Sequence, residues 1–204
     1  MPLIRKPTPH TAAARPDLKG LDSHNADDRW AAARAAAEVP GSSAALAAAL
    51  RKEQDPRVRE AIFTALARIG APEGVAELVR ILRCDDAGLR TGALDALRIL
   101  SRTQHDFLPG LLQDPDADVR ILSCELARGL ATEEASMLLA NLLGTEREIN
   151  VCAAAVDVLA EVGGDRALPA LAECARRFAH TPFLVFAIKV ATDRITAQIP
   201  RGRD

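Results

Sequence analysis

The stretch Asp55–Leu82, DPRVREAIFTALARIGAPEGVAELVRIL, predicts two short antiparallel helices that decide the fold. Asp55 is a candidate N-cap, and Pro56 lies in the first turn, where its missing N–H costs nothing. Gly70 can take the left-handed conformation that ends a helix, and Pro72 can begin the next helix. Apolar residues recur at helical spacing in both segments, as Val58, Ile62, Ala65 and Ile69 and then as Val75, Leu78 and Leu82. One such hairpin cannot bury both apolar stripes, so it requires neighbouring copies of itself.

Copies of this unit recur along the chain. The position of Arg59 is repeated at successive spacings of 30, 31, 30, 32 and 33 residues, by Arg29, Arg90, Arg120, Cys152 and Val185. Four residues before each of the arginines lies a residue that can cap a helix, namely Asn25, Asp55, Asp86 or Asp116. We interpret this pattern as a structural ladder of caps and ion pairs between neighbouring units, formed by Asp55, Arg59, Asp86, Arg90, Asp116 and Arg120.

The pattern D-P-x-V-R-x-x-A-x-x-A-L-x-x-I-G-x-P, which runs from Asp55 to Pro72, resembles a HEAT repeat. The ~30-residue period is similar to that of the short variety found in phycobilisome lyases, since longer HEAT units run to about 40–47 residues. The resemblance implies an all-α, right-handed α-solenoid of antiparallel helix pairs, HEAT/armadillo-like, with about 5.5 repeats over residues 25–198. Residues 1–24 are rich in proline and predict a disordered or draped N-terminal tail, and residues 199–204 predict a short C-terminal tail.

Composition limits the classes of function. Hydrophobic residues make up 49% of the chain but aromatic residues only 3%, which predicts a core of Ala, Leu, Val and Ile. The net charge is −2, and the basic ends leave the repeat body at −5, which makes nucleic acid an unlikely partner because phosphate binding needs clustered Lys and Arg. No run of 18 apolar residues occurs, so we expect no membrane partner.

The cysteines indicate a reducing compartment. Cys84, Cys124, Cys152 and Cys174 lie far apart and form no CxxC pair, which predicts reduced, structural thiols in a cytoplasmic protein. Basic residues are 22 Arg and 4 Lys, a ratio that together with the alanine content suggests a GC-rich bacterial genome.

The residues that catalysis requires occur only as scattered single residues, so we expect no catalytic, cofactor-binding or metal site. None of the four histidines is followed by Glu, so the His-Glu iron sites of deoxyhypusine hydroxylase, another HEAT protein, have no counterpart. There is no Gly-rich phosphate loop, because Gly163-Gly164 falls in a helix–helix turn. A Cys–His nucleophile pair stays open, although Cys124 and Cys152 lie on first helices, where buried and inert thiols are expected.

Three functions follow from the resemblance and the composition. The first is a non-enzymatic protein–protein interaction module, an adaptor, scaffold or regulatory subunit that presents a curved helical surface to another protein. The second is a bilin lyase or chromophore-handling subunit, which the lyase-type resemblance implies, although few aromatic residues are present to line a ligand groove. The third is nucleic-acid binding, as in HEAT-like alkylpurine glycosylases, against which the acidic body argues.

Two surfaces are candidate partner-binding sites. In HEAT geometry the second helices line the concave side, which would expose Glu77, Arg80, Arg83, Asn141, Glu173, Arg176 and Arg177, either as a solvated face or as a binding groove. The other surface lies at the C-terminal end. Phe186 occupies a position that is polar in the second and third repeats and apolar over the last three, beginning with Ile121. Phe183 occupies the position of Arg57, which is Gly88, Asp118 and Asn150 in the next repeats. Either a tail folds over the two phenylalanines, or they form an interface for a partner or for self-association.

Overall fold

The computed structural model describes residues 18–198, which form eleven α-helices and no strand. The helices are α1 (Ala26–Ala36), α2 (Ser43–Leu50), α3 (Pro56–Ile69), α4 (Pro72–Ile81), α5 (Ala87–Ser101), α6 (Leu108–Leu111), α7 (Ala117–Leu126), α8 (Thr132–Thr145), α9 (Ile149–Val162), α10 (Leu168–Arg177) and α11 (Pro182–Gln198). Short 3-10 helices lie at Leu18–Asp22, Ala127–Gly129 and Asp165–Ala167.

The helices stack as repeated pairs. The first helix of each pair packs against the first helix of the next, in the order α1, α3, α5, α7, α9 and α11, while second helices such as α2 and α4, or α8 and α10, pack beside one another. The last first helix, α11, has no second helix after it within the described residues. The predicted all-α solenoid of helix pairs is therefore confirmed.

The predicted hairpin around Asp55 forms α3 and α4. The Asp55 side chain accepts a hydrogen bond from the Arg57 backbone N–H at 2.9 Å and so satisfies a donor that the helix leaves unpaired. Gly70 ends α3 in the left-handed conformation, with φ of +63°, which side-chain-bearing residues rarely adopt. Pro72 begins α4. The local sequence thus determines both ends of the turn.

One core runs through the stack. Its fully buried large side chains are almost all leucines, among them Leu66, Leu78, Leu97, Leu139 and Leu159. Phe63 is the buried aromatic residue of this core. Such small-grained packing leaves little room for substitution, because removing a few methyl groups opens a cavity.

The second helix of the third repeat, α6, has a single turn. Pro109 and Gly110 occupy its centre, where proline removes a hydrogen-bond donor and glycine has poor helix propensity. Its main contact is with α7, so the row of second helices is interrupted between α4 and α8. A groove of about 530 Å³ opens beside it, lined in part by Val75, Val79 and Phe107.

The described chain begins with a short segment packed on the first repeat. Leu18–Asp22 lies against α1 and buries Leu21. Residues 1–17 and 199–204, which make up most of the two predicted tails, lie outside the described residues. Within residues 18–198, no helix combines the length and apolar character needed to cross a bilayer.

Candidate functional site

The acidic residues that recur at the start of the first helices accept hydrogen bonds from backbone N–H groups of those helices. Asp86 accepts from the Leu89 backbone N–H at 3.0 Å, and Asp116 accepts from the Asp118 N–H at 2.9 Å, as Asp55 does in α3. Among the ladder arginines, Arg59 reaches the next cap, with its Nη1 3.5 Å from Asp86 Oδ2.

Each ladder arginine also binds the backbone carbonyl group six residues before it. Arg59 Nε donates to Glu53 O at 2.9 Å, Arg90 Nη1 to Cys84 O at 2.7 Å, and Arg120 Nη1 to Asp114 O at 2.7 Å. Arg29 makes the same bond to Ser23 O at 2.9 Å. The recurring arginine therefore holds the loop that enters its own repeat.

A second row of carboxylates lies two residues before the helix caps, at what we call the pre-cap positions, Glu53, Asp114 and Glu146. All three are buried, and each accepts a hydrogen bond from the N–H of the residue two further on. Arg29 of the preceding repeat reaches Glu53 at 2.7 Å, and Arg120 reaches Glu146 at 2.7 Å. Sequence reasoning missed these residues, although an acidic side chain two positions before three of the caps is a usable signal.

Two of the pre-cap carboxylates, Glu53 and Glu146, are held in their charged form. The hydrogen bond from Arg29 and those from two backbone N–H groups outweigh burial and lower the pKa of Glu53 to about 2. Burial acts to raise the pKa of Glu146, but the Arg120 side chain and the N–H groups of Glu148 and Arg147 lower it overall. These ionic groups are occupied by structural partners, and the ladder has the geometry of a brace between repeats.

The predicted arginines on the second helices also have partners within the fold. Arg80 pairs with Glu77 at 2.7 Å, and Arg83 pairs with the buried pre-cap Asp114. Glu77 was expected on the exposed surface, and this expectation was wrong. Glu77 is buried, because Arg51 of the preceding repeat covers it and pairs with it at 2.7 Å. Burial acts to raise its pKa, but the two arginines lower the pKa overall.

Farther along the stack, Arg176 pairs with Glu173 at 2.6 Å on the same helix. Arg177 donates to the Leu143 carbonyl group at 2.6 Å and lies over the ring of Phe178. The candidate arginines therefore lie on two separate parts of the second-helix row, two on or beside α4 and two on α10, and the structure does not bring the four together.

Phe183 and Phe186 lie one turn apart at the start of α11, and both are exposed, by 56% and 67%. Neighbouring residues Leu184 and Ile188 are buried against the stack, so the two rings lie on the solvent side of the helix. Ile121, at the position in α7 that corresponds to Phe186, is half-buried.

Two of the buried thiols are held in their protonated form. Burial is the main cause that raises the pKa of Cys124, to about 12, and the pKa of Cys152 is raised by its side-chain hydrogen bond with Cys174 and by burial. Thiols in this state are poor nucleophiles. The residues from 18 to 198 contain no cluster of three or more His, Cys, Asp or Glu side chains arranged to hold a metal ion.

Comparisons with known proteins agree with the architecture. A family model described as HEAT repeats matches residues 16–98 and 105–179, which is more than half of the chain. The match is to HEAT repeats as a class, and the finer resemblance to the phycobilisome-lyase variety is not confirmed by it. No curated protein matches the chain in sequence.

Two solved structures resemble the chain over most of its length. An engineered protein is 18% identical with a TM-score of 0.42, covering 88% of this chain and 95% of that one. A designed armadillo repeat protein is 15% identical with a TM-score of 0.42, covering 87% and 98%. Neither likeness bears on what this chain binds.

Proposed function

Starting from the fact that this chain belongs to the HEAT-repeat family, we propose that it is a non-enzymatic protein-interaction module, an adaptor, scaffold or regulatory subunit of another protein. Arrays of this kind present extended helical surfaces, and the acidic and basic side chains of this array are largely used to brace its own repeats. Its free cysteines and arginine-rich composition support a cytoplasmic protein of bacterial origin.

The exposure of Phe183 and Phe186 carries this proposal. Two adjacent aromatic rings in water cost free energy, since fully burying one large apolar side chain is worth roughly 1.5–3 kcal/mol. Single exposed apolar residues are common, whereas neighbouring ones mark a contact surface. The two rings therefore support a binding site on the solvent side of α11, with Ile121 and the small Ala153 at equivalent positions of α7 and α9.

The candidate arginines rank second as a binding surface. Arg80, Arg83 and Arg176 are each paired with a carboxylate, so a partner would have to break or share those ion pairs. Electrostatic contacts of this exposed type contribute little to affinity unless they are desolvated. We therefore centre the proposed interface on the phenylalanines, with another protein or a second copy of the chain as partner.

The test replaces both rings, in the variant Phe183→Ser/Phe186→Ser. The matched control is Met137→Ser, because Met137 is an exposed apolar residue on α8, at 48% exposure. Sedimentation velocity over a concentration series measures self-association, and quantitative pull-down from the native host compares captured proteins between the variants. We expect the double variant, but not the control, to lose association at an unchanged melting temperature.

A different pair of measurements would contradict the proposed interface. A lower melting temperature with unchanged hydrodynamic size and unchanged capture would mean that the rings are covered by the chain itself. That outcome would remove the support for an interface at α11.

A further inference from the structure

A second apolar surface lies between α3 and α5, the first helices of the second and third repeats. It is a groove of about 480 Å³ whose lining includes Pro56, Phe63, Thr91, Ala96 and Ile99. Its volume lies within the range of roughly 300–1,000 Å³ typical of ligand sites, but it is an open trough between parallel helices. Such a shape receives the side chains of a peptide better than it encloses a small molecule.

Two ion pairs that join α1 to α3 have no counterpart along this groove. Between α1 and α3, Asp27 pairs with Arg57 at 3.2 Å, and Glu38 pairs with Arg68. Each of these pairs joins equivalent positions of consecutive repeats. On α5 the same two positions are Gly88 and Ile99, so neither bridge can form across the groove.

Ile99 is an exposed apolar residue at a position where the other repeats have a charged residue or glycine. Its side chain is 59% exposed, and the equivalent positions in the other repeats are Glu38, Arg68, Gly129, Glu161 and Arg194. The Ile99 side chain has no packing role that the structure shows, since it faces solvent. It extends the apolar lining outward from the buried Phe63.

Gly92 gives the groove its depth. A Cβ at this position would overlap the ring of Phe63, so glycine allows that ring to lie against the backbone of α5. Glycine inside a helix costs roughly 0.5–1 kcal/mol relative to alanine. Together with Gly88 and Thr91, it leaves only small side chains on the N-terminal half of α5 where that helix faces the groove.

The charge at the groove favours a basic partner. Glu60 lines it, is exposed, and has no ion pair among residues 18–198, whereas the other lining carboxylate, Asp95, pairs with Arg98 at 2.6 Å. Arg59 is already engaged by Asp86 and by the Glu53 carbonyl group. The repeat body as a whole is acidic. Unsatisfied negative charge beside an apolar trough complements a segment that carries apolar and basic residues together.

We propose that the α3–α5 groove binds an amphipathic basic helix of a partner protein, with apolar side chains spaced i and i+4 against Phe63 and Ile99 and a Lys or Arg at Glu60. Helix-in-groove recognition of this kind uses one apolar stripe as its anchor. The site rests on the proposed protein-interaction function but is separate from the Phe183–Phe186 surface, so each can be tested without the other.

The test uses the full chain and two dye-labelled model helices of the same pattern, one built of Leu and Lys and the other of Leu and Glu. Fluorescence anisotropy measures their affinities. We expect the Leu/Lys helix to bind more tightly, and we expect Ile99→Ser to weaken its binding by roughly tenfold or more, as truncation of a central contact does. Glu60→Lys should weaken the Leu/Lys helix and strengthen the Leu/Glu helix.

Two controls make the outcome decisive. Met137→Ser makes the same apolar-to-polar change at another exposed site and should leave binding unchanged, as should Phe183→Ser/Phe186→Ser. Equal affinity of the Ile99→Ser and unaltered proteins, with circular dichroism showing both folded, would overturn the proposal. So would a gain in affinity on Leu3→Ser/Ile4→Ser, because it would mean that the apolar-basic segment at the start of this chain occupies the groove.

Discussion

Glu53 is a single buried carboxylate that ties two repeats together. It accepts two hydrogen bonds from Arg29 of the preceding repeat and two from backbone N–H groups of its own loop. Removing one partner of such a group is costly, because the other is left buried without compensation. The brace between repeats therefore depends on protonation as well as on packing.

This dependence gives a prediction for stability against pH. The pKa of Glu53 falls from an ordinary value of 4.5 to about 2 on folding, so protonation favours the unfolded chain. Its contribution, on the order of 3 kcal/mol, is present above about pH 4.5 and is lost as the pH falls toward 2. In urea titrations, Glu53→Gln should be less stable at pH 7 and should lose less stability on acidification than the unaltered protein.

Glu60→Gln is the matched control, since Glu60 is exposed and has no ion pair within the described chain. It should keep the acid dependence of the unaltered protein. If both variants lost stability in parallel from pH 5 to pH 2, Glu53 would not be the group that couples folding to protons.

At the scale of the helix, α3 lies inside the stack with helices of three repeats around it. It packs against α1, α2, α4 and α5, and Leu66 is fully buried among them. Leu66→Ala should cost about 2–5 kcal/mol of unfolding free energy through the cavity it leaves.

Leu46→Ala in α2 is the comparison, because Leu46 is equally buried but lies in the first repeat. We expect a smaller loss there, since the end repeat can open without unfolding the rest. Native-state hydrogen exchange that found α2 better protected than α3 would contradict this order.

The sequence could predict the helices because their ends have local signals. Asp55 imposes the start of α3 and Gly70 its end, and the structure has these features at the predicted places. It could not predict the burial of Glu77 or Glu53. Their covering groups, Arg51 and Arg29, lie in the preceding repeat, so the local sequence around either glutamate carries no sign that its side chain is buried. The α3–α5 groove was also missed, because it forms from residues of two neighbouring repeats, Phe63 on α3 and Gly92 and Ile99 on α5.

For the whole molecule, the end of the stack determines whether copies remain separate. In α11 the positions equivalent to the buried Phe63 and Leu66 are Lys189 and Thr192, and the Lys189 side chain is 74% exposed. Terminal repeats need a polar outer face to keep a solenoid soluble. Lys189→Leu/Thr192→Leu should therefore cause concentration-dependent association.

Sedimentation velocity would detect this association as a shift of mass toward larger species. Thr196→Leu, farther along the same helix and exposed, provides the control. If Lys189→Leu/Thr192→Leu stayed as unassociated as Thr196→Leu at every concentration, the polar end of α11 would not be a cap.

The one-turn helix α6 has a mechanical consequence. First helices pack in sequence along the whole stack, but the second-helix row is interrupted beside α6. A stack with one continuous row of helices and one interrupted row is expected to bend most easily at the interruption. Under tension or compression the stack would bend beside α6. The helices up to α5 and those from α7 onward would then move toward or away from each other as two units. We therefore expect the helix stack to bend most readily beside Pro109-Gly110.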